Sequence, residues 1–341
     1  MKYISFVVPC YNSQDYMAKC IESLLIGGDE IEIIIVNDGS KDNTINIARE
    51  YEQRYPNIIK VIDKENGGHG SGVNAGMDNS TGLYFKCVDS DDWVDKDAYI
   101  TVLETIKKHY QDNTLPDLYL TNFIYERPDI NKQHRNEIRK RFPLNQIITW
   151  DKVKKFSPTE FLMMHNLIYR LEVLKESKVR LLEHTFYVDN LFLYVPLPFV
   201  KTLYFIDVDF YRYFVGRANQ SVTLENMTKN YKHQLRVMEA LTHSYSYEFL
   251  KTLPKKQRNF ILQDFIAKSF LTLFYISTGN NDEKNQAYKE YFERFKKNNR
   301  GLYNKLRYRS LFFFPFLLPR FLRNKVVMWG YKKIINTTGW N

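Results

Sequence analysis

Short apolar runs alternate with stretches of helical periodicity through the first hundred residues. Such runs, rich in β-branched side chains and bounded by polar turns, predict buried strands. They occupy residues 4–9, 30–36, 58–63 and 83–88. Apolar side chains at helical spacing predict helices at residues 14–25 and 43–54, and a third helix entered through residues 73–77. This alternation predicts an α/β fold with a mostly parallel sheet flanked by helices.

Polar turns follow all four predicted strands. Their sequences are Cys10-Tyr11-Asn12, Asn37-Asp38, Asn66-Gly67-Gly68 and Asp89-Ser90-Asp91. Parallel strands present their carboxyl ends at one edge of a sheet, and open α/β folds bind ligands at that edge. We therefore expect the four turns to meet and to form a nucleotide pocket.

The glycine-rich loop at residues 65–72 argues against two common nucleotide-binding classes. It follows the third strand, and no Gly-x-Gly-x-x-Gly follows the first strand, so the dinucleotide fingerprint is absent. The loop also lacks the Gly-Lys-Ser/Thr of a P-loop. Neither a dehydrogenase nor a kinase is indicated.

Three carboxylates, Asp89, Asp91 and Asp92, follow the fourth strand. Their mutual repulsion costs stability unless a cation lies among them. Mg²⁺ and Mn²⁺ prefer oxygen ligands and commonly take one or two carboxylates together with phosphate oxygens and water. The Asp-x-Asp therefore suits a metal held against a diphosphate. An acidic turn whose aspartates cap the next helix explains the same residues, and the pattern alone leaves both interpretations open.

Four ordered segments resemble the successive motifs of the family 2 glycosyltransferases, which have the GT-A fold. The segments are residues 7–12, 35–42, 65–70 and 88–93. Four motifs in order within about ninety residues are far more specific than any single motif. The resemblance implies a glycosyltransferase of the bacterial surface-polysaccharide type.

The same resemblance implies roles for individual residues. Tyr11 and Asp38 would hold the uracil and ribose of a UDP-sugar. Asp89 would approach the ribose and sugar, and Asp91, together with Asp89, would bind Mn²⁺ or Mg²⁺ on the diphosphate. The other residues of this expected nucleotide-sugar site are Pro9, Asn66 and Gly68. One departure is Asn37, which stands where the family commonly has an acid.

A second informative segment lies at residues 182–190. An inverting sugar transfer needs a base that takes the acceptor hydroxyl proton. Asp189 lies among apolar and aromatic residues, where partial desolvation suits a base; an acid at a helix N-terminus is the alternative. The segment resembles the family's acid-rich motif that supplies the base, with Val188 where the family commonly has Glu. We expect Asp189 to be the base, with Glu183 as the second candidate.

Residues 210–222 resemble the family's late Arg…Ser segment, which closes over the diphosphate. Arginine binds phosphate oxygens through a fixed fork of donors. We therefore expect Arg217 and Ser221 to contact the donor phosphates, although an ordinary solvated surface loop has the same composition. Arg212 is expected to be structural. His165 lies in an apolar stretch, where a buried core histidine is the commoner explanation.

Composition indicates the compartment in which the protein is expected to reside. Three cysteines in 341 residues provide no disulfide framework, which favours a reducing environment. No secretory leader is recognised at the start, and no run of about 18 uninterrupted apolar residues predicts a membrane span. The net charge of +10 is concentrated after Glu293, where no acid follows.

The basic C-terminal region also contains apolar and aromatic residues. The apolar stretch at residues 310–319 is short and broken by proline, basic residues flank it, and Trp329 and Tyr331 suit a headgroup zone. This composition is typical of interfacial membrane attachment, with a buried helix or a protein-docking segment as alternatives. Nucleic acid is not expected as a partner, because the positive charge comes with bulky aliphatic side chains.

Together these observations predict three regions: a GT-A catalytic domain at residues 1–224, a helical appendage at residues 225–300 and a membrane-surface tail at residues 301–341. The expected reaction is metal-dependent, inverting transfer from a UDP-sugar to a hydroxyl of a glycan or lipid-linked glycan, in cell-surface polysaccharide synthesis. The alternative is a non-catalytic, glycosyltransferase-like partner subunit that binds nucleotide sugar or lipid and supports another transferase. The expected location is the cytoplasmic face of the cell membrane.

Overall fold

The structure, a computed structural model, describes residues 1–157, 160–216, 224–277, 281–309, 315 and 318–338. The chain divides into two compact units. The first comprises residues 1–154 and 162–218, and the second comprises residues 155–161 and 219–341. The separate tail beginning at residue 301 stays a prediction.

The first unit is built on one ten-stranded sheet. Its strands are β1 Ile4–Cys10, β2 Ile31–Asp38, β3 Ile59–Lys64, β4 Tyr84–Cys87, β5 Trp93–Val94, β6 Leu118–Arg127, β7 Lys132–Asn136, β8 Ile148–Thr149, β9 Leu167–Arg170 and β10 Thr202–Phe214. They are arranged in the order β3-β2-β1-β4-β9-β6-β10-β5, while β7 pairs with β6 and β8 pairs with β10.

The strands β1 to β4 run parallel, which confirms the predicted α/β class. β1 lies between β2 and β4, and β3 pairs with the outer side of β2. In this register Cys10 is opposite Asn37, and Asp38 is opposite Lys64. The polar turns therefore leave the sheet at one edge, as the sequence predicts. The reverse-running strand β9 separates β4 from β6.

Helices cover both faces of the sheet. They are α1 Met17–Leu24, α2 Thr44–Arg54, α3 His69–Asn79, α4 Lys96–Gln111, α5 Leu171–Ser177 and α6 Asp189–Tyr194. The side chains of Phe6 and Ile33 share one core with α1, α2 and α4. Alternate strand residues point to the other face, where Val7 contacts α3 at Gly76. Both faces are thus buried, which explains the near-continuous apolar runs of β1 and β2.

Two local expectations differ from the structure. Residues 127–141, whose polarity and charge suggest an exposed excursion or an acceptor-side loop, are largely exposed but contain the strand β7, which pairs antiparallel with β6. The glycine-rich loop is shorter than its sequence suggests, because α3 already begins at His69. Gly68 has a φ of +83°, a conformation that side chains other than glycine rarely adopt, and it turns the chain into this helix.

The second unit is helical in its described part. Its helices are α7 Leu224–Lys229, α8 Tyr231–Ser244, α9 Tyr247–Thr252, α10 Lys255–Ser277, α11 Asp282–Asn298, α12 Arg300–Arg309 and α13 Arg320–Thr338. α10 packs against α8, α11 and α13. Within the described residues α10 alone has the length and hydropathy of a membrane span, and 61% of its apolar window is buried, as in many core helices. It carries the buried ion pair Asp264–Lys268.

Candidate active site

Asp38, at the end of β2, fixes the glycine-rich loop. Its carboxylate, 2% exposed, accepts hydrogen bonds from the backbone N–H of Gly67 at 2.9 Å and of Gly68 at 2.7 Å. Lys64 Nζ lies 2.8 Å from Asp38 Oδ1, and Asn66 Nδ2 donates to the Asp38 carbonyl oxygen at 2.8 Å. Asp38, Asn66 and Gly68, which the sequence assigns to one site, are therefore brought together.

The turn after β1 lies beside the end of β2. The Asn12 N–H donates to Ser40 Oγ at 3.0 Å, and Asn12 Oδ1 accepts from the Lys41 N–H at 2.8 Å. Pro9 is buried in β1, whereas Tyr11 is 51% exposed. A half-exposed aromatic ring at the carboxyl edge of a sheet offers a stacking surface to a planar base.

Asp89 lies between two histidines. His69 Nε2, from the first residue of α3, is 2.8 Å from Asp89 Oδ1, and His165 Nε2 is 3.9 Å from Asp89 Oδ2. Burial opposes ionisation of Asp89, but the two histidines more than offset it and hold the pKa of this carboxyl well below its usual range. Burial also opposes the charged form of His69, whose pKa the Asp89 carboxylate nevertheless raises well above its ordinary value. An ionised carboxylate is thus maintained at this position.

Asp92 has a structural role. It is 1% exposed and accepts hydrogen bonds from the Tyr211 hydroxyl at 2.5 Å and from the Phe214 N–H at 2.7 Å. The same Tyr211 hydroxyl accepts from the Asp89 N–H at 3.1 Å. Burial and the charges of its neighbouring aspartates raise the pKa of Asp92. The expected cap of α4 is supplied by Asp95 instead.

The acidic turn provides donors that fit a divalent cation. Among the described residues, two groups of side chains have ligand atoms within 4.8 Å of one another. The groups are His69, Cys87 and Asp89, and Asp89, Asp92 and His165. Asp92 is engaged by β10, and burial raises the pKa of the Cys87 thiol, so both are poor ligands for a hard ion. The half-buried Asp91 belongs to neither group. The assignment of Asp89 and Asp91 as the carboxylate ligands of Mg²⁺ or Mn²⁺ therefore stays a prediction from the sequence.

The segment before Asp189 is built directly on the glycine-rich loop. The His184 N–H donates to the Gly67 carbonyl oxygen at 2.6 Å, and Ser71 Oγ donates to Glu183 at 3.3 Å. His184 and Tyr187 have φ values of 47° and 64°, in the left-handed region that residues other than glycine seldom occupy. Such backbone strain is concentrated at functional sites. The second informative segment of the sequence therefore belongs to the same site as the first.

Asp189 is the first residue of the short helix α6, and Asn190 Nδ2 lies 3.4 Å from its Oδ1. The charges of Asp89 and Asp189 both act on His165, whose pKa burial nevertheless lowers. Asp189 thus lies near the acidic turn and also occupies a helix N-terminus, so its role as base stays a prediction. Arg217 and Ser221 lie outside the described residues. Arg212 forms ion pairs with Asp95 at 2.8 Å and Glu126 at 3.0 Å.

Sequence reasoning did not single out Lys86 and His69. Lys86 is completely buried in β4, and its Nζ donates to the carbonyl oxygens of Met164 at 3.2 Å, His165 at 2.6 Å and Leu167 at 3.2 Å. These hydrogen bonds hold the backbone of His165 in place, and the His165 side chain reaches Asp89. One charged residue inside an apolar strand is the sequence feature that would have identified Lys86. His69 stands in the glycine-rich motif, and only its contact with Asp89 gives it a role.

The His165 ring is packed in the core, and its Nε2 atom faces the site. It is 4% exposed, and its ring stacks on Tyr213 with a centroid separation of 4.5 Å and an interplanar angle of 22°. Its Nδ1 has no hydrogen-bond partner among the described residues. Tyr211 also packs against the ring, at 4.6 Å. The histidine is therefore held by packing and by Lys86, with Nε2 directed towards Asp89.

Sequence comparison gives a family match over the first half of the chain. The model of the family described as "Glycosyl transferase family 2" matches residues 5–176. Glycosyltransferase GlyA of Streptococcus pneumoniae is 35% identical over 120 residues, which are 35% of this chain and 17% of that protein. Minor teichoic acid biosynthesis protein GgaB of Bacillus subtilis is 38% identical over 108 residues, 31% of this chain and 12% of that protein. The chain thus spans under a fifth of the length of these two relatives.

A solved structure resembles nearly the whole chain. S. aureus TarS 1–349 in complex with UDP-GlcNAc superposes with a TM-score of 0.64 and 20% identity, over 98% of this chain and 92% of that one. At this identity the likeness establishes a shared fold.

Proposed function

Because the chain belongs to glycosyl transferase family 2 and has the GT-A fold, we propose that it transfers a sugar from a nucleoside diphosphate to a hydroxyl group. The observation that carries this proposal is the meeting of the glycine-rich loop, the acidic turn and the segment before Asp189 around Asp89. The proposed donor is a UDP-sugar. The proposed acceptor is a glycan or lipid-linked glycan in surface-polymer synthesis. The UDP-GlcNAc bound by TarS and the teichoic acid biosynthesis named for GgaB support these choices.

The donor would lie along the carboxyl edge of the sheet. Tyr11 offers its exposed ring to the uracil, and Asp38 orders the loop beside the base and ribose. Pro9, Asn66 and Gly68 shape the same pocket. Asp91 and Asp89 would hold Mn²⁺ or Mg²⁺, and such an ion, when bound, offsets the negative charge of a leaving diphosphate. Arg217 and Ser221 remain the proposed phosphate contacts from sequence.

The transfer itself needs one proton acceptor. The acceptor oxygen bonds to the anomeric carbon from the side opposite the diphosphate, so the configuration inverts. Its proton passes to the Asp189 carboxylate, and the bond between the anomeric carbon and the diphosphate oxygen breaks, releasing UDP. Glu183, which accepts from Ser71 Oγ, is the second candidate for the base. We also propose that this reaction takes place at the cytoplasmic face of the cell membrane.

Release of UDP tests the proposal. A panel of UDP-sugars is incubated with the full chain and Mn²⁺, with and without chelator. Asp91→Asn is expected to reduce turnover at least about a hundredfold, because it removes an anionic oxygen ligand at the developing charge. Asp97→Asn, at an exposed acid in the first turn of α4, is the matched control and should retain activity.

Nucleotide binding without turnover on any donor would contradict the transfer reaction. That outcome would instead favour the non-catalytic partner subunit. Full activity of Asp91→Asn in the presence of chelator would refute the metal assignment while leaving the transfer reaction in place. The anomeric configuration of the product, read by NMR, tests inversion separately.

A further inference from the structure

The helix α13 has two different faces. Arg323, 7% exposed, and Val327, fully buried, lie on the inner face. A side chain at Gly330 would come within 3.0 Å of Phe270 of α10, so the helix is closely packed on this side. The outer face carries the exposed apolar side chains Phe321, Leu322, Val326 and Trp329. With about 100° between successive residues, these four fall within an arc of roughly 140°.

The exposure of this face is unusual for the molecule. Phe321 is 65% exposed and Trp329 is 66% exposed. Apart from Met1, the one other large apolar side chain exceeding 60% exposure among the described residues is Tyr308 of α12. Contiguous exposed apolar groups with a basic rim mark interaction sites, whereas single exposed apolar residues need no explanation. The outer face of α13 is therefore a candidate interaction surface.

Charge indicates the kind of partner. Twelve lysines and arginines and no acids follow Glu293, whereas the preceding 293 residues contain 37 basic and 39 acidic residues. The positive charge of the molecule thus belongs to its last 48 residues. Lys325 is exposed on the same arc of α13, between Phe321 and Val326. A convex helix face that combines aromatic rings with lysine is typical of attachment to the surface of an anionic bilayer.

We propose that the outer face of α13 docks the chain on an anionic lipid surface. Phe321 and Trp329 would enter the boundary between headgroups and acyl chains, and Lys325 would pair with lipid phosphates. A second copy of this chain fits the face less well, because each copy brings the same concentrated positive charge and the two would repel. The proposal concerns a surface of the helical unit and does not depend on the transfer reaction.

Vesicle co-sedimentation of the full chain tests this proposal. Vesicles of equal parts phosphatidylglycerol and phosphatidylcholine are compared with pure phosphatidylcholine. The double variant Phe321→Ser/Trp329→Ser should bind the anionic vesicles at least about tenfold more weakly, because two apolar anchors are lost. Both side chains are mostly exposed, and circular dichroism checks that the fold is retained. Ile100→Ser/Ile130→Ser, at two positions 45% exposed in the other unit, is the matched control and should bind like the wild type.

A second variant separates charge from apolar contact. Lys325→Glu leaves every apolar side chain of the face in place. It should weaken binding to the anionic vesicles and leave binding to the neutral vesicles unchanged. Donor hydrolysis in solution, measured in parallel, should be unchanged in all these variants, so that failure of docking is distinguished from failure of the transfer reaction.

Two results would overturn the proposal. The first is unchanged vesicle binding by Phe321→Ser/Trp329→Ser, and the second is equal binding of the wild type to neutral and anionic vesicles. If the first result comes with a change of oligomeric state in the double variant, seen by size-exclusion chromatography with light scattering, the face is a surface for self-association.

Discussion

At the scale of single residues, the three acids after β4 differ because they contact different partners. Asp92 is fully engaged by Tyr211 and Phe214, which ties the acidic turn to β10. Asp89 is kept ionised by His69 and His165. Asp91 remains half-buried at the apex of the turn. The division of roles among neighbouring, chemically identical side chains thus follows from contacts with distant segments.

Lys86 is the other residue whose surroundings determine its chemistry. Three carbonyl oxygens match the three donors of an ammonium group. Burial nevertheless lowers its pKa to about 7, against the opposing effect of nearby Cys87, Asp89 and Asp92. Loss of hydration on burial therefore lowers the pKa of Lys86 more than its hydrogen bonds and the nearby acids raise it.

This pKa predicts a pH-dependent contribution to stability. An unfolded lysine has a pKa of about 10.4, so between about pH 7 and pH 10 the unfolded chain binds more protons than the folded one. The contribution of Lys86 to stability should therefore grow as the pH rises through this window and be lost as the pH falls through about 7. The slope is at most about 1.4 kcal/mol per pH unit. Chemical unfolding of wild type and Lys86→Met across this range measures the difference.

The baseline for this comparison is Lys140→Met, at an exposed lysine. A stability difference between the wild type and Lys86→Met that stays flat from about pH 7 to pH 10 would contradict the prediction. It would mean that the three carbonyl contacts keep the ammonium charged throughout.

At the scale of elements, close packing of α3 on β1 positions the glycine-rich loop. A side chain at Gly76 would overlap the side chain of Val7, so only glycine lets the helix approach the strand this closely. α3 begins with His69, and its depth on the sheet therefore sets where this histidine meets Asp89. Close packing at Gly76 therefore helps to set the position of His69 relative to Asp89.

Gly76→Ala is expected to destabilise the first unit by about 1–3 kcal/mol, because an extra methyl group must be accommodated in a packed interface. Urea unfolding measures the loss. The double variant Val7→Ala/Gly76→Ala should recover part of it, because truncation of Val7 makes room for the new methyl group. Strictly additive losses in the two single variants would show that the two positions do not interact.

At the scale of the whole molecule, the excess positive charge and the parallel sheet lie in different parts of the chain. The parallel sheet with its site lies in a part of the chain that is close to neutral, and the basic residues are concentrated after Glu293. A long apolar helix, α10, forms the core of the second unit, with α8, α11 and α13 packed around it. Membrane attachment is therefore expected to involve electrostatic attraction to the C-terminal helices.

Salt should weaken this attachment. The Debye length falls from about 10 Å at 0.1 M to about 3 Å at 1 M ionic strength, which screens attraction between lysines and lipid phosphates. Wild-type binding to vesicles containing phosphatidylglycerol is expected to decrease steadily as sodium chloride is raised over this range. Neutral vesicles provide the control. Binding to anionic vesicles that is insensitive to salt would show that charge plays no part.

Sequence patterns predicted the succession of the first four strands and three helices, a mostly parallel sheet and the meeting of the four polar turns. The strands and helices are predicted from the periodicity of apolar side chains. The meeting of the turns follows because parallel strands end at one edge of a sheet. Asp38, Asp89 and Asp91 are candidate site residues that the sequence supplies, because each follows directly on a predicted strand. The hairpin of β6 and β7 was not foreseen, since its exposed second strand lacks apolar alternation.

Which side chains meet at the site depends on long-range packing. Asp89 contacts His69 and Tyr211, which lie 20 and 122 positions away, and Lys86 binds carbonyl oxygens about 80 positions away. Such contacts depend on how elements pack and leave no periodic trace in the sequence. The same holds for α13, whose composition indicates a surface but whose packing against α10 alone determines which face is exposed. Local chemistry thus supplied the candidate residues, and long-range packing assigned their partners.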